Sequence, residues 1–179
     1  MNDNERVEHL SKLDRLTLIN QFLILEVLYP EEAGSFAEHR KALERGFTLH
    51  YDWMFSHLYD ELPVAECKFV LDVLDMYRAL TFGYRGLSEE DQSDIPDTYL
   101  RFPGFDGNNE SHHLSYAHYF IVDLGRYEEL HEGQDTPDFN SHGPTLWKYR
   151  AMLAVWQTFP TPEKFNLSKN ALIQVLEAR

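Results

Sequence analysis

Arg45 and His50, with four residues between them, are the pair in this chain best suited to phosphate chemistry. An imidazole can move protons at a ribose hydroxyl, and a guanidinium can hold the charge that builds on a scissile phosphate. Together they would support metal-independent RNA cleavage. On one continuous helix the two side chains would point about 140° apart. Gly46 would have to bend the chain, or two copies would have to pair their sites. With nine histidines in the chain, this spacing also arises readily by chance. The plain alternative is a surface arginine and a partly buried histidine.

Other constellations are weaker. Asp72 and Asp75 lie one helical turn apart, as acid/base work could use. With Lys68 and Arg78 at neighbouring turns, an ion-paired face accounts for them more simply. Asp106-Gly107-Asn108-Asn109-Glu110 places oxygens as the first half of a calcium loop does, but the second half is missing. Its expected role is structural: Asp106 bonds turn amides, Asn108 or Asn109 caps the following helix, and Phe102 and Phe105 pin the loop to the core. Glu110-x-x-His113 and Glu128-x-x-His131 match di-iron spacing. On a single helix, however, they would stand about 27 Å apart. His50 and His57 are separated by about 10 Å of helix, too far for one ion. No metal and no cofactor is expected, and neither a nucleophile elbow nor a glycine-rich phosphate cradle is present.

Composition narrows the field. Thirty acidic against sixteen basic residues give a net charge of −14, which repels phosphate backbones and anionic membranes. Nucleic acid is therefore not an expected partner, RNA at Arg45 and His50 excepted. The 43% hydrophobic content, with 12 Phe, 10 Tyr and 3 Trp, is ample for a core. A single cysteine, Cys67, suits a reducing compartment. No apolar run approaches the roughly 20 residues of a membrane span, and the first residues do not resemble a secretion signal, so a cytoplasmic location is expected.

The elements that must position these groups read as helices. Residues 1–10 form a polar lead-in, and 11–179 read as one all-α domain of six or seven helices. Ser11 and Asp14 open the first, with Leu16, Ile19, Leu23 and Val27 on its inward face. Ser35 is the next cap, and Gly46 ends or bends that helix. Phe47, Tyr51, Met54, Leu58 and Leu62 continue at helical spacing to Pro63. From there to Phe82 runs the clearest amphipathic pattern, with Val70, Val73, Leu74, Tyr77 and Leu80 on one side. After an acidic connection with one turn at Ser88, the structured loop near 102–110 delivers a long helix from Ser111 toward Leu130. A loop from Gly133 to Pro144 precedes a helix bearing Leu146, Tyr149, Leu153 and Trp156. Ser168 caps the last. Trp53, Phe55 and Trp147 are surplus to these faces and suit an interface.

Several stretches in order carry a likeness: Glu44-Arg45-Gly46-Phe47, Glu66-Cys67 with Asp72, Asp75-Met76-Tyr77 and Ala79-Leu80. It continues through Phe102 to Glu110, Asn140-Ser141-His142, Tyr149-Arg150, Met152-Leu153 and Trp156. On these residues the chain resembles the YfbU family of bacterial helical proteins, from about residue 11 to its end. The resemblance implies a helical, oligomeric, cytoplasmic protein of unassigned activity, with no catalytic residues to carry over; the surplus aromatics suit a homo-oligomer and a protein partner. The spacing of Arg45 and His50 is similar to that in the HEPN superfamily of helical ribonucleases, although Gly46 stands where that motif often has a polar residue; on that alternative the chain would be a dimeric ribonuclease of a stress or phage-defence setting.

Overall fold

In a computed structural model that describes residues 9–132 and 138–179, the chain is all-α. The first eight positions of the lead-in and the start of the loop at Gly133 lie outside the described residues. Contacts divide the chain into two compact units, one ending at Glu61 and the other beginning at Leu62.

The first unit holds α1 (Lys12–Leu28), α2 (Ala33–Arg45) and the single-turn α3 (Tyr51–Phe55). Ser11 and Asp14 close the expected capping box on α1, each side chain bonding the other's backbone amide. Leu18, Ile19 and Phe22 pack with Leu10 and Phe55 around a small core of Ala42, Leu43, Tyr51 and Met54. Leu16, Leu23 and Val27, expected to face inward with Ile19, are instead exposed. α1 is apolar around most of its circumference, so periodicity alone could not choose the buried side. α2 opens one turn before Ser35, from Glu32. It closes on Gly46 in the left-handed conformation, φ +71°. The helical spacing from Phe47 to Leu62 yields only a 3-10 turn (Thr48–His50) and α3, and Leu58 is exposed.

The second unit is organised around α4 (Val64–Arg85), whose Val70, Val73, Leu74, Met76, Tyr77 and Leu80 are buried. Each such side chain contributes roughly 1.5–3 kcal/mol of burial. α5 (Glu89–Ser93) is the single turn expected at Ser88. α6 (Ser111–His118), α7 (Leu146–Trp156) and α8 (Lys169–Glu177) complete the unit. The long helix expected to Leu130 is shorter. It passes from α6 into a π-helical turn, Tyr119–Asp123, and stops at Gly125 with φ +59°. Tyr127 is left-handed, and a separate 3-10 turn covers Glu128–Leu130. Among the described residues there are eight α-helices, six of two turns or more and the single turns α3 and α5. The one β-type pairing among the described residues is an isolated bridge between Phe105 and Asn140.

Candidate functional site

The densest polar constellation is built on the loop from Phe102 to Glu110. Phe102 and Phe105 are buried, as expected, with their rings edge-on to each other, Phe102 edge-on to Tyr77 and Phe105 edge-on to Tyr149. Gly104, at φ +84°, lets the loop press onto the backbone of Phe139. There the Phe105 amide donates to the Phe139 carbonyl at 3.0 Å, and the Ser141 amide donates to the Phe105 carbonyl at 3.1 Å. Asn140 Oδ1 accepts from the amides of Gly107 and His142. The Tyr149 hydroxyl donates to the Gly104 carbonyl at 2.6 Å.

Glu110 lies at the centre and is buried. Its Oε1 accepts from the amides of Thr145 and Leu146, at 2.7 and 3.0 Å. Its Oε2 accepts from the Asp106 amide at 3.0 Å and the Thr145 hydroxyl at 2.8 Å. The carboxylate therefore sits on the N-terminus of α7, where unpaired amides and the helix dipole favour an anion. Burial works to raise its pKa, but the bonds from Leu146, Asp106 and Thr145 prevail and hold it below the usual glutamate value. Asp106 is also held low, by the side chain of Asn109 and the amide of Asn108. Neither Asn108 nor Asn109 caps α6, because Asn109 turns to Asp106 and Glu110 itself holds the N-cap position. Asp106 and Glu110 are thus spent on protein donors, which fits the structural role and leaves little for a cation.

Asp72 and Asp75 do not form the expected ion-paired face with Lys68 and Arg78. Arg78 leaves the α4 face to pair with Glu129 of the 3-10 turn, its guanidinium 4.0 Å over the Tyr127 ring. Asp75 accepts from the Tyr127 hydroxyl at 2.8 Å. Burial, then the bond to Asp75, pushes that hydroxyl's pKa up. Asp72 and Lys68 enter no ion pair among the described residues. Arg45 is the exposed last residue of α2, and His50 ends the 3-10 turn beyond Gly46. They therefore do not share a continuous helix. The His50 ring stands edge-on to Trp53, at 4.6 Å between centroids, with Nδ1 buried and unbonded.

The histidines of the di-iron spacings go elsewhere. His113 Nε2 lies 2.8 Å from Glu66 Oε2 and its ring meets Phe69 and Phe105, while its sequence partner Glu110 serves α7. Glu128 and His131 are not on the helix of Glu110 at all. Among the described residues no three His, Cys, Asp or Glu side chains gather as a metal site would require. A cleft of about 460 Å³ is lined by Tyr84, Arg85, Arg101, Phe102, His131 and Phe139. Both arginines are already paired, Arg85 with Glu132 at 2.7 Å and Arg101 with Asp97 at 3.1 Å. The sequence reading missed the links Glu66–His113, Asp75–Tyr127 and Glu110–Thr145. They join positions 47, 52 and 35 residues apart, and no local spacing signals them.

The family model for the YfbU domain matches residues 8–178. UPF0304 protein MJECS11 of Methanocaldococcus jannaschii is 35% identical over 170 residues, which covers 94% of this chain and 99% of that protein.

Proposed function

Because the chain belongs to the YfbU family along nearly its whole length, we propose that it acts as a non-enzymatic, self-associating protein that regulates or scaffolds a protein partner. The observation that carries this reading is the apolar surface of the first unit, where Trp53, Leu58, Leu49 and most of the outer residues of α1 stand in water. Monomers rarely expose more than a few hundred Å² of contiguous apolar surface. Trp147 adds an exposed ring on the second unit, whereas Phe55 packs against the first unit's core. The polar groups best placed for chemistry are meanwhile engaged by the fold: Glu110 by α7, Asp75 by Tyr127, and Arg78 by Glu129. Light scattering across micromolar concentrations is expected to report an oligomer of constant mass. A strict monomer would sink the reading.

The buried, unbonded Nδ1 of His50 keeps one enzymatic alternative in play: a dimeric HEPN-like ribonuclease using Arg45 and His50. Single-stranded RNA incubated with the purified protein in EDTA is expected to remain intact. Cleavage that disappears in both Arg45→Ala and His50→Ala would establish the alternative instead.

A further inference from the structure

We infer that α1 is the self-association surface, packing antiparallel against α1 of a second copy about a two-fold axis at Asn20; this rests on the self-associating function proposed above. Leu13, Leu16, Leu23, Ile24, Val27 and Leu28 each leave between 46% and 80% of their surface in water. At about 100° per residue they fall within an arc of roughly 140° on the side of α1 opposite Leu18 and Phe22. From Leu16 to Leu25 the helix carries no charge. Leu13, Leu16, Asn20, Leu23 and Val27 follow one another at steps of three, four, three and four, the a/d repeat of a helix that pairs with another helix.

The exposed part of these side chains amounts to on the order of 500 Å² of apolar surface. Each partner in a standard interface contributes about 800 Å², of which roughly 65% is apolar in homodimers, so the strip is of the size a second copy needs.

Asn20 sets the arrangement. It is exposed at the centre of the strip, and it is the midpoint of the 17-residue helix Lys12–Leu28. A two-fold axis there places one Asn20 amide against the other, and a single polar residue at such a position specifies register at a cost in stability. The ends of α1 fix the direction. Lys12 and Arg15 outweigh Asp14 in its first turn, whereas Glu31 and Glu32 follow its last turn, where Glu26 is already paired with Arg40. Antiparallel packing brings the basic end of one copy to the acidic end of the other. Parallel packing would set acid against acid in a chain of net charge −14.

The test uses the full chain. Val27→Glu and Leu16→Glu are each expected to halve the mass seen by light scattering while helical circular dichroism stays unchanged. In a Cys67→Ser background, Asn20→Cys is expected to cross-link to itself on oxidation. Leu13→Cys is expected to cross-link to Val27→Cys in mixed samples, and neither to itself. An unchanged mass in both glutamate variants overturns the assignment of α1 and leaves self-association standing. Self-linked Leu13→Cys overturns the antiparallel direction. A monomeric parent protein removes the underlying reading as well.

Discussion

Gly104→Ala is expected to unfold the second unit, with a loss of stability well above about 4 kcal/mol, the range reserved for frank steric and buried-polar failures. A Cβ at this position would lie 1.6 Å from the Phe139 carbonyl oxygen and 2.2 Å from its carbon. Both are backbone atoms, so no rotamer change can relieve the overlap. Separating the segments would break the Phe105–Phe139 and Ser141–Phe105 bonds and withdraw the acceptor of the Tyr149 hydroxyl. Gly125→Ala supplies the control. Its φ of +59° is also left-handed, but nothing lies within 4 Å of the added carbon, so the cost is limited to roughly 1–2 kcal/mol of backbone strain. Urea midpoints for the two variants check this directly. Similar midpoints would mean that the close approach of Gly104 to Phe139 is not as described.

Glu110→Ala comes next in expected effect, at about 3–5 kcal/mol. It leaves three backbone amides and the Thr145 hydroxyl without their acceptor, each worth about 1–3 kcal/mol when buried and unpaired, though less than additively. Glu110→Gln keeps the shape but turns an amino group toward donors, and about 2 kcal/mol is expected from loss of charge-assisted bonding. The pH dependence follows from the sign of the shift. The folded pKa is depressed below the ordinary value of about 4.3. The carboxylate's contribution is therefore complete above that value and is lost as pH falls through the lower folded pKa. Asp106, also depressed, acts in the same direction. The stability difference between the parent protein and Glu110→Gln should thus be constant from neutral pH to about pH 5 and narrow at more acid pH. A difference that widens on acidification would contradict the carboxylate's role as acceptor.

What the sequence made legible were features whose signal is local. The Ser11/Asp14 box, the turns opened by Ser88 and Ser168, and the left-handed stop at Gly46 each depend on a few adjacent residues. The inward face of α4 was legible because its other side is charged. α1 has no such contrast, and the choice between its two apolar faces was made by the packing of Phe22 on Phe36 and His39. The end of α6 was obscured because Leu114, Ala117, Ile121 and Leu124 keep helical spacing right up to Gly125, and the left-handed Tyr127, whose hydroxyl bonds Asp75, carries no turn motif. The role of Glu110 was not readable: the cap of the helix at Ser111 was expected from Asn108 or Asn109, and the helix whose amides Glu110 binds begins 36 residues later.

That last relation has a dynamic corollary. The backbone of Glu110 holds the N-cap position of α6, while its carboxylate receives the amides of Thr145 and Leu146 at the start of α7. Fraying at the start of α6 displaces the Glu110 backbone and so draws its carboxylate away from the amides at the start of α7. Fluctuations in two stretches far apart along the chain are thereby locked into a single breathing motion.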